Sequence, residues 1–168
     1  MAADAPLFRT PTETPAPRPA ERIDIAGCRV LLVDDNEQNL ELLLAYLGEL
    51  GCELCTATDG PEALEAVSGR PPDLVLLDIM MPRMSGFQVC KKIKADPATS
   101  GIPVLMVTAL NEVADVEHAV EVGADDFLTK PVNRVELLTR VRSLLRISVL
   151  QKQLKKSIGD LRKLTGQG

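Results

Sequence analysis

Five polar side chains in this sequence each follow a short apolar run and could do chemistry together if the fold brought them to one place. They are Asp34 and Asp35 after VLLV, Asp78 after LVLL, Thr108 after VLMV and Lys130 after DFLT. Carboxylates held close together raise one another's pKa values, and a few carboxylates with water are the ligands that Mg²⁺ prefers. A lysine and a hydroxyl beside them suit an anion with several acceptor oxygens. The set predicts a metal-assisted phosphoryl-transfer site.

Asp78 is the predicted acceptor within this set. It stands in DLVLLDIMMP, an apolar stretch in which an unpaired charge is costly. It is the lone acid after its run, whereas Asp34 and Asp35 form a pair. It is expected to lie between that pair and the Thr108 and Lys130 side chains.

The elements that must position these residues alternate along the chain. The runs CRVLLVD, CELCTAT, DLVLLD, IPVLMVTA and DFLTK predict five strands. NEQNLELLLAYLGELG, GPEALEAVSG, SGFQVCKKIKAD and EVADVEHAVEVGA predict the helices between them, and a long helix is expected from about Asn133. Five β–α units with short links indicate a parallel sheet covered by helices on both faces. In such sheets the working site lies beyond the carboxyl ends of the strands.

Composition narrows the class of protein. The chain has 168 residues, of which 45% are apolar and 2% aromatic, so one domain with an aliphatic core is expected. No apolar run approaches the roughly 18 residues of a membrane span, and no signal-like segment opens the chain, so a cytoplasmic location is expected. The net charge is −5, yet residues from Arg134 onward hold nine Lys or Arg and two Asp or Glu. An acidic body therefore carries a basic tail.

The cysteines are interpreted as core residues. Without an export signal, disulfides are disfavoured. Cys52 and Cys55 form a C-x-x-C pair, but a structural metal site needs a second pair of ligands. In a strand, residues three apart point to opposite faces of the sheet.

Four stretches in order, VLLVDDNEQN, LVLLDIMMPRMSGFQV, PVLMVTA and GADDFLTKPV, make the sequence resemble the receiver domains of two-component response regulators. The resemblance covers about residues 27–147. It leaves 1–26 as a disordered, proline-rich arm and 148–168 as a basic helical or coiled-coil extension. It implies an α/β, flavodoxin-like (βα)5 fold with a doubly wound parallel sheet in the order 2-1-3-4-5 and an extended C-terminal helix.

The resemblance also implies a role for each site residue. Asp78 would accept a phosphoryl group from a phosphohistidine on a histidine kinase or a histidine phosphotransfer protein. Asp35, Asp78 and the backbone carbonyl of Met80 would ligate Mg²⁺, and Asp34 would help through a water molecule. Lys130 would pair with the phosphoryl oxygens. The expected activity is limited to self-phosphorylation and slow self-dephosphorylation, without other enzymatic turnover.

A conformational switch is implied as well. Thr108 would move to hydrogen-bond the phosphoryl group, Phe127 would swing inward behind it, and Pro131 would follow a cis peptide bond. The surface of the segment between Thr108 and Phe127 would then change. Met80 and Leu110 are apolar at positions that help set the rate of hydrolysis in this family, so slow loss of the phosphoryl group is expected.

The C-terminal segment predicts an interaction helix. Its apolar residues fit a heptad seam with one polar gap at Ser157. The seam residues are Ile147, Leu150, Leu154, Leu161 and Leu164. Leu137, Val141 and Leu144 are expected to pack on the sheet instead. A homodimer, through this helix or through the face of the fourth helix, fifth strand and last helix, is preferred over contact with nucleic acid or anionic lipid.

Three alternatives remain at this point. A haloacid-dehalogenase-type enzyme also uses an Asp nucleophile with Mg²⁺, but it needs a second acid two residues later, where this sequence has Met80. The second alternative is a receiver-like adaptor that never accepts phosphate, but the presence of the complete set of acids, Thr108 and Lys130 argues against it. GFQVCKKIKADPATSGIPVLMVTAL and FLTKPVNRVELLTRVRSLLR are similar to receivers attached to diguanylate cyclases. The chain is therefore either a stand-alone regulator or the receiver part of a longer regulator of that type, although it contains no GGDEF-like run.

Overall fold

The computed structural model describes residues 23–109 and 113–166. Most of the predicted N-terminal arm, and Leu110, lie outside the described residues.

Strands and helices alternate along the described chain. The strands are β1 (Arg29–Val33), β2 (Glu53–Ala57), β3 (Leu74–Asp78), β4 (Val104–Thr108) and β5 (Asp126–Thr129). The helices are α1 (Glu37–Leu47), α2 (Gly60–Gly69), α3 (Gly86–Ala95), α4 (Val113–Glu121) and α5 (Arg134–Leu164), with a 3-10 turn at Gly48–Leu50. Neighbouring strands pair in parallel in the order β2-β1-β3-β4-β5. The predicted fold class and strand order are confirmed.

Two hydrophobic clusters cover the two faces of the sheet. Val30 and Leu32 of β1 point to the cluster with α1 and α5, whereas Leu31 and Val33 point to the cluster with α2 and α3. Because helices cover both faces, every residue of β3 and β4 is buried. This double covering explains why these strands read as continuous apolar runs rather than as alternating patterns.

Local sequence signals begin and end the helices. A side chain caps the first turn of four of them; these capping residues are Asn36 for α1, Asp59 for α2, Ser85 for α3 and Asn133 for α5. Ser85, the predicted cap, forms a full capping box with Gln88. Gly51 and Gly123 follow α1 and α4 with φ of +69° and +86°, a left-handed conformation that glycine adopts without strain.

Helix α5 is 31 residues long, and its first half packs on the body. Leu137, Val141 and Leu144 are buried against the sheet, as predicted, and Ser148 is the last buried residue of the helix. The predicted seam beyond them is exposed, and Ile158 adds an apolar side chain next to the predicted gap at Ser157. From residue 147 onward, the exposed apolar residues are Ile147, Leu150, Leu154, Ile158, Leu161 and Leu164.

The two cysteines of the C-x-x-C pair contact opposite faces of the sheet. Cys52 packs against the cluster of α1 and α5, and Cys55 against the cluster of α2 and α3. Burial raises the pKa of the thiols of Cys28 and Cys90 to about 11, so both stay protonated at neutral pH. All four thiols are free. None of the described helices is long and apolar enough to cross a bilayer.

Candidate functional site

The predicted site residues meet at the carboxyl edge of the sheet. Asp34 follows β1, Asp78 ends β3, Thr108 ends β4, and Lys130 follows β5. The parallel register sets Asp78 beside Val107, the residue before Thr108. Because parallel strands all end at the same edge, residues more than 90 positions apart in sequence reach one place.

Three carboxylates form the centre of the site. Asp34, Asp35 and Asp78 each offer an oxygen that lies within 4.8 Å of those of the other two. Asp34 and Asp78 are buried, whereas Asp35 is exposed. Close carboxylates that are partly withdrawn from water provide hard oxygen ligands, the kind that Mg²⁺ prefers.

Lys130 supplies the positive charge of the site. Its Nζ lies 2.8 Å from Oδ2 of Asp34 and 3.5 Å from Oδ2 of Asp78. Its backbone N–H donates to the carbonyl oxygen of Thr108 at 2.7 Å, which ties the connection after β5 to the end of β4. The Lys130–Pro131 peptide bond is cis.

Asp34 is held by two further donors that the sequence analysis missed. The amide Nδ2 of Asn39, on the first turn of α1, donates to Oδ2 of Asp34 at 3.2 Å, and the backbone N–H of Asn36 donates to Oδ1 at 2.9 Å. An asparagine one turn into a helix that follows the acid pair is the only sequence signal of this contact. Together with Lys130, these donors fix the orientation of the Asp34 carboxylate.

Asp78 is the most perturbed acid of the described chain. Burial is the main cause that raises the pKa of Asp78 to about 6, and the negative charge of Asp34 also raises this pKa. The positive charge of Lys130 lowers it, as does the backbone N–H of Met80, which lies 3.3 Å from Oδ1 of Asp78. Desolvation outweighs the lysine because the Lys130–Asp78 pair is long, whereas Lys130 lies closer to Asp34. The Asp78 carboxylate therefore carries excess charge that an additional cation would stabilise.

The predicted switch residues lie next to this centre. Thr108 is fully buried at the end of β4. Phe127 is half-buried and packs against the cluster of α2 and α3. Leu110, the second predicted determinant of the hydrolysis rate, lies outside the described residues. The first, Met80, has a side chain that is largely exposed beside Asp78.

The segment 79–85, here named the acceptor loop, connects Asp78 to α3. The N–H of Gly86 donates to the carbonyl oxygen of Ile79 at 2.9 Å. A Cβ on Gly86 would lie 2.2 Å from the backbone oxygen of Asp78. Only glycine allows this close approach, so Gly86 holds the base of the loop against the end of β3.

A groove beside the site was also missed by the sequence analysis. It has a volume of about 500 Å³ and runs between α1 and the connection from β5 to α5. Leu42, Tyr46, Pro131 and Val132 form its apolar walls, and Asp34 and Lys130 also line it. Its walls come from segments about 90 residues apart, so no local pattern marks it.

Comparison with known proteins gives the family. Residues 30–142 match the response regulator receiver domain. The response regulator PleD of Caulobacter vibrioides is 48% identical over 129 residues, which cover 77% of this chain and 28% of PleD. The DNA-binding response regulator MtrA of Mycolicibacterium smegmatis is 41% identical over 152 residues, which cover 87% of this chain and 65% of MtrA. The chain thus spans less than two thirds of these relatives.

Solved structures agree with this match. The CheY-like response regulator receiver domain protein of Methanospirillum hungatei superposes with a TM-score of 0.69 at 27% identity, covering 74% of this chain and 98% of that one. The chemotaxis protein CheY4 of Vibrio cholerae gives a TM-score of 0.67 at 30% identity, covering 70% and 98%. The predicted site residues converge at the sheet edge, the fold is shared with solved receiver domains, and the family match covers most of the chain. The chain therefore belongs to the response regulator receiver domain family.

Proposed function

We propose that this chain accepts a phosphoryl group on Asp78 from a phosphohistidine and reports the event through α4, β5 and α5. The observation that carries the proposal is the convergence of three carboxylates within 4.8 Å, with Lys130 near two of them. Receiver domains act as phosphoacceptors in two-component signalling, so the proposal assigns the family's role to these particular residues.

The donor set fits Mg²⁺. Asp35, Asp78 and the backbone carbonyl of Met80 would hold the ion, with Asp34 acting through water. The raised pKa of Asp78 supports this assignment because it reflects a buried negative charge that Lys130 only partly balances. When bound, the ion would shield the charge of the incoming phosphoryl group and of the acceptor.

The chain's own residues would carry the transfer. With a pKa of about 6, the Asp78 carboxylate is mostly ionised at neutral pH and can attack phosphorus. An O–P bond forms at Asp78 as the N–P bond of the phosphohistidine breaks, and the histidine nitrogen keeps the electron pair. Lys130 is placed to pair with phosphoryl oxygens, since its Nζ already lies between Asp34 and Asp78. Self-phosphorylation from acetyl phosphate would form the same O–P bond at Asp78 as the O–P bond of the donor breaks, and acetate would leave with the electron pair.

The groove beside the site suits the donor protein. The phosphoryl group must reach Asp78 from outside, and Lys130, whose Nζ lies 3.5 Å from Oδ2 of Asp78, lines the groove. Leu42 is exposed on its α1 wall, and Tyr46 and Pro131 extend the apolar surface. A helix of a histidine kinase or of a histidine phosphotransfer protein could lay an apolar side chain there and hold its histidine over the acceptor.

The switch would pass through Thr108 and Phe127 to α4. New acceptor oxygens on Asp78 would draw the Thr108 hydroxyl, and Phe127 would fill the space left behind it. The outer face of α4 is a suitable output surface because Val113, Val116 and Val120 are exposed on it. A beryllofluoride mimic should shift the amide resonances of α4, and identical spectra with and without it would contradict the switch.

Dimer formation is the proposed output. The α4-β5-α5 face and the exposed apolar stripe of α5 are both candidate surfaces for a second copy. The alternatives are that the chain is the receiver part of a longer regulator of the diguanylate-cyclase-linked type, or a phosphate-independent adaptor. The adaptor hypothesis leaves the complete acidic site without a use.

One labelling experiment tests the proposal. Wild-type protein and the Asp78→Asn variant are incubated with acetyl phosphate and Mg²⁺, and intact mass and oligomer size are read together. The wild type should gain about 80 Da, the mass of one phosphoryl group, and the variant should not. An unmodified wild type, or an adduct on another residue, would refute the assignment.

A further inference from the structure

The start of α2 holds the acceptor loop from outside. A Cβ on Gly60 would lie 2.7 Å from Cβ of Met84 and 2.9 Å from its Cγ and Sδ. The helix backbone and the loop side chain are therefore in direct contact. One residue earlier, Oδ2 of Asp59 accepts a hydrogen bond from Nη2 of Arg83 at 2.6 Å. Two consecutive residues on each side thus make the connection.

The α2 side of this connection is firmly anchored. Oδ1 of Asp59 caps the helix by accepting from the N–H of Glu62 at 2.8 Å. The carboxylate of Glu62 accepts from both the N–H and the hydroxyl of Thr58, at 2.8 and 2.9 Å. Ala63 and Val67 bury the helix in the core. The residues that meet the loop are therefore held in place by contacts that do not involve the loop.

The loop side needs such support. Arg83 has a φ of +67°, a conformation that costs energy for a residue with a side chain. The hydrogen bonds within the loop are backbone contacts of short range, from Met81 to Ile79 and from Met84 to Pro82. The Met80 side chain is 61% exposed, so packing does not fix it. The direction of its carbonyl depends on the path of the loop backbone.

We propose that Asp59 and Gly60 position the acceptor loop, through Arg83 and Met84, and thereby set the affinity of the acidic site for a divalent cation. The inference rests on the proposed function, in which the Met80 carbonyl joins Asp35 and Asp78 around Mg²⁺. Contacts outside the ligand shell orient ligands in this way, and their loss weakens metal binding by about 10- to 100-fold.

A pair of glycine substitutions on one helix tests the proposal. Gly60→Ala pushes a methyl group into Met84, whereas Gly69→Ala, at the other end of α2, meets nothing within 4 Å. Both changes favour helix formation. Mg²⁺ affinity is measured by titration calorimetry, and the free energy of unfolding by urea in EDTA. Gly60→Ala should bind Mg²⁺ about tenfold more weakly, with Gly69→Ala at the wild-type value. In EDTA, Gly60→Ala should stay folded but be less stable than the wild type because of the clash with Met84, whereas Gly69→Ala should be at least as stable as the wild type. Wild-type affinity in Gly60→Ala would overturn the proposal.

A second variant decides the case if Gly60→Ala folds poorly. Asp59→Asn keeps the helix cap, because asparagine caps as well as aspartate, but it removes the charge that pairs with Arg83. Mg²⁺ affinity should fall about two- to fivefold, as an exposed ion pair allows, and hydrogen exchange in residues 79–85 of the metal-free protein should rise. Unchanged affinity and exchange would refute the positioning role. A wild type that binds no Mg²⁺ would instead refute the proposed function itself.

Discussion

Replacing Asp78 with asparagine should stabilise the metal-free protein at alkaline pH. The pKa of Asp78 is raised from 3.8 to about 6, chiefly by burial. At about 1.4 kcal/mol for each pKa unit, ionising Asp78 costs the folded state about 3 kcal/mol relative to the unfolded chain. The Asp78→Asn variant keeps the shape without the charge. Its free energy of unfolding at about pH 8 in EDTA should therefore exceed that of the wild type by about 3 kcal/mol, or roughly 6–12 °C in Tm.

The gain in stability of Asp78→Asn over the wild type should depend on pH. Because the folded pKa lies above the unfolded value, the folded wild type binds more protons between pH 3.8 and about 6, and it loses stability as pH rises through this window. The advantage of Asp78→Asn should be complete above the window, fall to about half near pH 5 and vanish below 3.8. Urea titrations followed by circular dichroism at several pH values measure it.

Asp35→Asn is the matched control. Asp35 belongs to the same carboxylate cluster but is exposed, so removing its charge should stabilise much less. Saturating Mg²⁺ should narrow the difference between Asp78→Asn and the wild type, because the ion stabilises the form that binds it. Equal or lower stability of Asp78→Asn at about pH 8 without metal, or a gain that persists below pH 3.8, would refute the burial argument.

Three further predictions concern the site and the arm. Lys130→Met leaves Asp34 and Asp78 without their cation and should cost the metal-free protein about 3 kcal/mol in urea unfolding at alkaline pH; unchanged stability would mean that water already balances the acids. Met80→Asn offers a polar group beside the acceptor and should speed loss of the phosphoryl label severalfold, whereas Met80→Leu should not; equal half-lives for all three proteins would argue against a role for this position. Leu154→Glu with Leu161→Glu places charges in the exposed stripe of α5 and should abolish any dimer seen by sedimentation, with Lys156→Glu as control; a dimer that survives the double change would move the interface to the α4-β5-α5 face.

The sequence predicted the positions of those site residues that lie at the ends of strands. Asp34, Asp78 and Lys130 could be placed together because each closes an apolar run, and parallel strands deliver such positions to one edge. The heptad pattern located the exposed stripe of α5, although Ile158 had no place in a strict seam. These features depend on the short-range periodicity of apolar residues, which can be read from a single sequence.

Features that depend on contacts across the fold were missed. The pairing of Asp59 with Arg83 joins residues 24 positions apart on two loops, and nothing in either local pattern indicates it. Asp34 and Asp35 are chemically alike and adjacent, yet one is buried and the other exposed. This difference in exposure follows from the direction of the backbone as it leaves β1, which the amino-acid sequence alone does not specify.

Helix α5 continues for 16 residues from Ser148, the last of its buried residues, to Leu164, a distance of about 24 Å at 1.5 Å per residue. Over that length, a tilt of the helix axis by about 5° at the sheet would displace the C-terminal end of α5 by about 2 Å. Such a displacement is enough to separate packed side chains. Lys152, about one helical turn beyond Ser148, forms an ion pair with Asp73. Small repacking beneath α5 would thus be magnified at the far end of the arm.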